Sequence, residues 1–381
     1  MKNIHCLAVP HTITNADYVA CAFTQKVKKF LTMFKGSDKY HTIHYGHKDS
    51  VTDADEQVTV TNNEVLTATY GDYDWKKQQF KHSRDDLAHK IFNANAAQEI
   101  AKRKKRGDLV LAFWAGTQEA CDKANVDNDL IVVEPGIGSG WAFAPFRCYE
   151  SYPLKGAYIG TDGVSYCNPK WYWRVIPNYF DLNDFAPQTK REDYALYIGR
   201  IGANKGLDLA IDATKRLGIN LKVCGQGDSK SLGLDSWPEH VDFLGYADLE
   251  LRKKLMGEAK FGFLLSTYWE PFGGTAVEMM LSGCVPVCTD AGAMTEYIVD
   301  GVNGFRCNTM GDILRACRLV DTIDRNKMIK FAADNFSLEG VKPKFARAFD
   351  DFGYVFDGKG WYEDHNQPLT GCGLNYKSLY V

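Results

Sequence analysis

Between residues 194 and 299 short apolar runs alternate with helix-length segments without a break, and that alternation restricts the fold more than any other feature of the chain. The pattern predicts strands at 195–198, 221–224, 241–244, 261–265 and 285–288, with helices at 207–217, 249–258, 274–282 and 293–299. Strand, helix and strand repeated in this way make a doubly wound α/β domain around a parallel sheet. The first half repeats the theme less cleanly. A strand-like run at 3–9 ends at Pro10, and residues 20–34 carry apolar side chains at helical spacing with Lys26, Lys28 and Lys29 on the other side. Further strands are expected at 42–45, 109–113, 130–134 and 157–160, and helices at 85–106 and 116–125. The polar stretch 49–74, rich in Thr, Asn and Asp, reads as a hairpin or extended loop.

A turn at Pro177-Asn178 and a charged linker at 188–193 separate the two alternations. The expected organisation is an α/β protein with a first Rossmann-like domain over 1–180 and a second over 181–350. An aromatic and polar tail over 351–381 either crosses back to the first domain or joins two copies. Two doubly wound domains on one linker leave a cleft where the carboxyl ends of both sheets face each other, the place where open α/β sheets bind ligands. Such a cleft suits a two-substrate enzyme.

Composition narrows the classes further. The 381 residues are 45% hydrophobic and 24% charged, which fits a globular protein able to bury two cores without staples. Eleven scattered cysteines with no CxxC pair read as small core hydrophobes in a reduced cytoplasm. No stretch approaches the roughly 18 uninterrupted apolar residues of a membrane span, so no integral membrane association is expected. The net charge of -3 gives no general field for nucleic acid. Residues 1–180 nevertheless carry 22 Lys and Arg against 20 Asp and Glu, and their densest run is Lys102, Arg103, Lys104, Lys105 and Arg106 at a helix end. That run is either a solvated helix cap or a docking patch for a polyanion such as DNA or an anionic lipid surface.

Two windows in the second half carry the chemistry. Residues 266–287 run from a strand end through Glu270-Pro-Phe-Gly-Gly274 into a helix, so free backbone N–H groups and a positive dipole end stand where a phosphate or sugar oxygen can meet them. Glu270 would lie beside that point and Glu278 about one turn into the helix. Residues 197–213 repeat the strand, glycine turn and helix and add Arg200 and Lys205, a planar fork and a compact point charge suited to a diphosphate.

The order of GRIGANKGLDLAIDA, LKVCGQGD, VDFLGY, STYWEPFGGTAVEMMLSGCVPV and DGVNG resembles the nucleotide-sugar half of the family 4 retaining glycosyltransferases, which have the GT-B fold. The match runs over about residues 173–350, and within the family VEPGIGSGWAFAPFRCYES is similar to a viral and environmental subgroup. The resemblance implies a hexose transferred from a nucleotide-diphosphate sugar, with UDP-glucose as the expected donor and no cofactor or metal. Arg200 and Lys205 with Gly199 would then hold the donor diphosphate. Glu270, Phe272, Gly273, Gly274 and Thr275 would hold the sugar and distal phosphate, and Glu278 the ribose hydroxyls. Gly225, Gln226, Leu244 and Tyr246 would line the base pocket. It also implies front-face transfer with retention, in which the leaving diphosphate accepts the acceptor's proton and Glu270 supports an oxocarbenium-like sugar.

The first half departs from that family's pattern, with Val9-Pro10-His11-Thr12 where many members have a glycine-rich loop and no histidine in Glu134-Pro135-Gly136-Ile137-Gly138. His11, Thr12, Glu134 and Gly136 are the candidate acceptor contacts. The acceptor itself, whether glycan, small molecule or hydroxymethylated DNA, is not spelled by these residues. The Asp-x-Asp pairs at Asp53, Asp72 and Asp127 lie in polar loops and read as solvated. A non-catalytic nucleotide-sugar binder could dispense with Glu270, and an epimerase of the same fold would need cleft carboxylates with a histidine; the joint presence of Glu270 and both cations favours a transferase.

Overall fold

The structure, a computed structural model, describes residues 1–138, 141–162, 170–360 and 373–380. Among the described residues thirteen strands fall into two sheets. The first contains β1 (Lys2–Leu7), β2 (Tyr40–His47), β3 (Glu56–Thr61), β4 (Leu109–Ala112), β5 (Ile131–Ile137), β6 (Phe146–Tyr149) and β7 (Arg174–Val175), in the spatial order β3-β2-β1-β4-β5-β6-β7. The second contains β8 (Glu192–Ile198), β9 (Asn220–Cys224), β10 (Val241–Gly245), β11 (Ala259–Leu264), β12 (Val285–Thr289) and β13 (Phe305–Cys307), in the order β10-β9-β8-β11-β12-β13. Every pairing within them is parallel. The strand order reverses between β1 and β4 and again between β8 and β11, so each sheet has its ligand-binding switch point beside its central strand.

The helices between the first strands are α1 (Ala22–Phe34), α2 (Asn63–Tyr70), α3 (Leu87–Ala101), α4 (Gln118–Ala124) and α5 (Tyr152–Asp162). Those of the second half are α6 (Leu207–Leu217), α7 (Leu249–Glu258), α8 (Gly274–Leu281), α9 (Met294–Tyr297), α10 (Met310–Leu319), α11 (Arg325–Phe336), α12 (Leu338–Phe356) and α13 (Lys377–Tyr380). Period-two alternation divides each central strand between two cores. Ile4 and Cys6 face Phe30 and Phe34 of α1, whereas Leu7 faces Phe92 and Ile100 of α3. Ala195 and Tyr197 likewise face α6, and Tyr194, Leu196 and Ile198 face Leu255 and Met256 of α7.

Three local expectations are corrected. Residues 157–160 lie in helix α5, not a strand, because Leu154 and Tyr158, one helical turn apart, pack in one cluster with Trp173 and Val175. The polar stretch 49–74 is no hairpin: it supplies edge strand β3, paired to β2, and the short helix α2 capped by Asn62. Edge position explains its polarity, since only Val58, Val60 and Thr61 of β3 are buried. The return to the first domain also begins before residue 351. Leu338, Val341, Phe345, Phe349 and Phe352 of α12 complete the core formed by β1 and α1, with Phe345 edge-on to Phe30 at 5.4 Å.

The crossings before and after the second sheet, at residues 176–181 and 336–338, lie side by side. Phe180 N–H donates to Phe336 O at 2.8 Å, and Leu338 N–H donates to Phe180 O at 3.1 Å. Further along, Asn335 bonds both ways with Asn375, so residues 373–380 rest on α11 of the second domain. The remainder of the expected tail lies outside the described residues.

Candidate functional site

A cleft of about 560 Å³ opens between the carboxyl ends of the two sheets. Val9 and His11 reach it from the end of β1, Gly199, Arg200 and Lys205 from β8, Gly225 and Gln226 from β9, and Ser266 and Glu270 from β11. Gly273, Gly274, Thr275 and Glu278 line it from the start of α8.

The β8 and β9 turns are zipped together by backbone bonds, Gly199 N–H to Cys224 O at 3.0 Å and Ile201 N–H to Gln226 O at 2.9 Å. At Gly225, φ is +158° and a β-carbon would stand 1.7 Å from Gly199 O, so only glycine fits there. Gly206, at φ +66°, meets Leu265 O in the same way and sets α6 directly against the end of β11. Lys205 is thereby brought to Glu270. Its Nζ donates to Glu270 Oε1 at 2.6 Å, and Ser266 Oγ donates to the same oxygen at 2.6 Å. Glu270 is 8% exposed, with its second carboxylate oxygen left for a ligand. The Tyr268 ring covers the Lys205 ammonium at 4.5 Å, and Ala293 N–H holds the Glu270 carbonyl from behind at 3.0 Å.

Gly273, in the left-handed region at φ +73°, starts α8 with no side-chain cap. The first N–H groups of that helix thus open toward the cleft beside Arg200, whose guanidinium has no partner among the described residues. Glu278 pairs with Arg252 of α7, and both line the cleft. The expected set of Gly199, Arg200, Lys205, Gly225, Gln226, Tyr246, Glu270, Gly273, Gly274, Thr275 and Glu278 is therefore gathered on one wall.

Other expected residues are placed elsewhere. Leu244 is 43% exposed and outside the cleft, because the strand alternation turns it to the free side of β10. The Phe272 ring is buried among Phe180, Tyr297 and Phe336, and its carbonyl accepts from the Tyr297 hydroxyl at 2.6 Å. Thr12 is buried against Thr24 Oγ1 at 2.6 Å and does not line the cleft. Glu134 accepts the N–H groups of Phe143 and Ala144, both at 2.9 Å, and burial pushes its carboxyl up to about 7. Gly136 lends its carbonyl to Lys26. Glu134 and Gly136 thus brace the loop after β5 outside the cleft.

His11, in contrast, does reach the cleft and is buried there rather than exposed. Its ring stacks on His82 at 4.7 Å and His89 at 5.6 Å and meets Trp114 edge-on at 5.3 Å. Burial, with His82 and His89 nearby, lowers its pKa to about 3, so the ring is neutral.

Several cleft residues have no local signal in the sequence. Lys26 and Lys29, on the side of α1 expected to face outward, both face the cleft, where Lys26 pairs with Glu150 and Lys29 lies over the Phe180 ring at 4.9 Å. Arg252 sits in an unremarkable charged helix. The segment between α2 and α3 also meets the second domain, where Gln226 Nε2 donates to Trp75 O at 2.5 Å and to Gln78 O at 3.0 Å, and between β1 and α1 Asp17 O accepts from the Tyr246 hydroxyl at 2.9 Å.

The remaining expectations concern metal and polyanion. Asp53 is bound by Lys35 and Thr32, Asp55 by Thr42, and Asp127 and Asp129 by Lys104, so these carboxylates serve loops rather than the cleft. In the basic run, Lys102 pairs with Glu99, Arg103 with Glu56 and Glu99, Lys104 with Asp127 and Asp129, and Arg106 with Asp357. That neutralisation favours a helix cap over a polyanion patch. No described helix is long and apolar enough to cross a membrane.

Comparison with known proteins bears on the fold and on the second domain. Residues 181–327 match the family model for glycosyl transferases group 1. The chain is 31% identical over 147 residues to glycogen synthase of Mycobacterium tuberculosis, covering 35% of each protein. It is 31% identical over 179 residues to mannosylfructose-phosphate synthase of Agrobacterium fabrum, covering 40% of this chain and 37% of that one. The matched stretches span well under half the length of these curated relatives. Anabaena HepE, solved in complex with UDP and glucose, superposes with a TM-score of 0.64 at 16% identity, covering 92% of this chain and 100% of that one. Residues 181–327, which form most of the second domain of a GT-B fold, are thus the part of the chain that is similar to the group 1 glycosyl transferases.

Proposed function

We propose that the protein is a retaining hexosyltransferase that moves a sugar from a nucleoside-diphosphate donor, UDP-glucose in the first instance, to a hydroxyl acceptor. The observation that carries this reading is the convergence of Lys205, Ser266 and Glu270 beside the uncapped start of α8 and the Arg200 guanidinium. Positive charge and free N–H groups stand where a diphosphate would lie, and a fixed carboxylate stands where a sugar would follow it. The relation to glycogen synthase and the fold shared with a protein solved with UDP and glucose support the donor class.

In this mechanism Glu278, held by Arg252, takes the ribose hydroxyls, while Gly225, Gln226 and Tyr246 wall the base. Arg200, Lys205 and the α8 N–H groups bind the diphosphate, and Glu270 fixes the hexose through its open oxygen. The acceptor oxygen forms its bond to the anomeric carbon on the face from which the diphosphate departs. The bond from that carbon to the phosphate oxygen breaks, and the departing oxygen receives the acceptor's proton. Arg200 and Lys205 stabilise the charge developing on the diphosphate, a task that needs no protein-bound metal. Glu270 has no covalent role; its charge supports the positive sugar.

The test is turnover of a panel of nucleoside-diphosphate sugars by the purified protein, with and without EDTA and with Glu270→Ala and Lys205→Ala alongside. One donor turned over with EDTA present, and lost in both variants, is expected. Absence of donor turnover, together with no thermal stabilisation by any nucleoside diphosphate, refutes the assignment.

A further inference from the structure

The loop that carries Glu270 is held by its carbonyls. Pro271 has no N–H to give, and three successive carbonyls each take a donor: Glu270 O from Ala293 N–H at 3.0 Å, Pro271 O from the Ser151 hydroxyl at 2.6 Å and Phe272 O from the Tyr297 hydroxyl at 2.6 Å. Ala293 and Tyr297 stand at the two ends of α9, in the second domain. Ser151 follows β6 in the first domain, 120 residues before Pro271. It is 1% exposed, and its oxygen accepts Leu154 N–H at 3.2 Å in the first turn of α5, which commits its single proton to Pro271.

The next residue adds a second bond across the domains. Tyr152 N–H donates to Glu296 Oε2 at 2.8 Å, and Glu296 belongs to the same α9 that holds the loop from behind. The first domain thus grips the loop twice, once at Pro271 and once through its supporting helix. The grip is itself anchored. Glu150, 4% exposed, pairs with Lys26 of α1 and accepts Asn178 Nδ2–H at 3.1 Å, at the crossing into the second domain. A buried carboxylate held by an ammonium and an amide has little freedom to turn, so the chain delivers Ser151 to Pro271 in one direction. Neither Ser151 nor Tyr152 lines the cleft. They touch no donor; what they govern is where the Glu270 carboxylate stands, and a displacement of about 1 Å in a reacting site is enough to cost much of the rate.

We propose that Ser151 is a positioning residue for Glu270, and that Ser151 and Tyr152 together set that carboxylate at the donor sugar from the opposite domain. The inference rests on the transferase reading and deepens it. Arg200 and Lys205 hang on the turn after β8, away from this grip, so its loss separates chemistry from nucleotide binding.

The test uses the full chain and the donor that the wild-type protein turns over, reading release of the nucleoside diphosphate together with the affinity for that diphosphate. Ser151→Ala should lower kcat about tenfold and leave the donor KM and the diphosphate affinity within about twofold. Tyr152→Pro removes the N–H that reaches Glu296 at a helix position that needs none of its own, and should lower kcat about threefold. In a Glu270→Gln background Ser151→Ala should change kcat by less than about twofold, because a residue that acts through the carboxylate has nothing left to place. Thermal stabilisation by the diphosphate certifies the folding of each variant, and Tyr152→Pro, which keeps the Ser151 hydroxyl, decides the question if Ser151→Ala does not fold. An unchanged kcat in the folded variants, a loss of diphosphate affinity as large as the loss in kcat, or a full tenfold loss on top of Glu270→Gln overturns the positioning role while leaving the transferase reading standing. A wild-type protein that turns over no donor overturns that reading, and the positioning role with it.

Discussion

The Lys205 and Glu270 pair offers a measurement of the site's geometry that needs no substrate. Their side chains are 19% and 10% exposed, with N and O 2.6 Å apart. Exposed ion pairs contribute about 0.2–1 kcal/mol, and breaking a fully buried one costs about 3–5 kcal/mol. A pair this far from water, with Ser266 already sharing the carboxylate oxygen, belongs between those limits, at about 2 kcal/mol of coupling. The experiment is a double-mutant cycle of Lys205→Ala, Glu270→Gln and the double variant, followed by calorimetric unfolding without nucleotide. The amide that replaces the carboxylate in Glu270→Gln keeps an acceptor for Ser266, so the cycle isolates the charge pair. About 2 kcal/mol corresponds to roughly 4–8 °C in the midpoint of a domain of this size. The double variant should fall short of the summed single losses by that amount. Saturating UDP should shrink the coupling, because the diphosphate competes for the same ammonium. A coupling below about 0.5 kcal/mol without nucleotide would refute the contact on which the diphosphate site is built.

Three further outcomes are expected. Glu134, buried between two N–H donors with its carboxyl raised to about 7, binds its proton more tightly folded than unfolded, so its contribution is complete below pH 4.5 and lost as pH rises through 7; the loss is up to about 3 kcal/mol, and Glu134→Gln should flatten that part of a urea stability profile. Equal slopes in the two proteins would reject the assignment. Gly206→Ala, which places a β-carbon 2.0 Å from Leu265 O, should cost about 2–4 kcal/mol in chemical unfolding and weaken UDP binding, whereas an unaltered protein would contradict the close approach. Arg252→Ala frees Glu278 and should raise the donor KM about tenfold with a smaller effect on kcat; equal losses in both would place Arg252 in the chemistry instead.

The second-domain wall of the cleft is legible in the sequence because it is built from local units. Strand, glycine turn and helix at 197–213 and 264–281 each place their own cations, carboxylates and N–H groups, and the parallel sheet brings the two units together. Leu244 and Phe272 show where that logic ends: a residue beside the right turn still points where its strand or ring cluster directs it. The first-domain wall of the cleft depends on contacts distant in sequence. His11, His82, His89 and Trp114 come from four separate segments, and no spacing announces their stack. Lys26 and Lys29 read as the outer side of α1 because polarity on a helix marks contact with water without saying whether that water fills a cleft. The same ambiguity disguises α5, whose residues Ala157–Tyr158–Ile159 suit a strand until Leu154 adds the helical partner.

The route of α12 bears on how the protein is made. Phe345, Phe349 and Phe352 belong to the first domain's core, yet they leave the ribosome after residues 181–336, which carry the second sheet and the helices that flank it. A nascent first domain therefore waits with Phe30, Phe34 and Tyr40 uncovered along one face, while residues 181–336 already hold the strands and helices of their own sheet. Vectorial synthesis, which ordinarily lets an amino-terminal domain mature first, here favours the later one. A truncation before residue 338 would release a second domain lacking only Leu379 and its neighbours from its core, tethered to an unfinished first, a species prone to chaperone capture and aggregation.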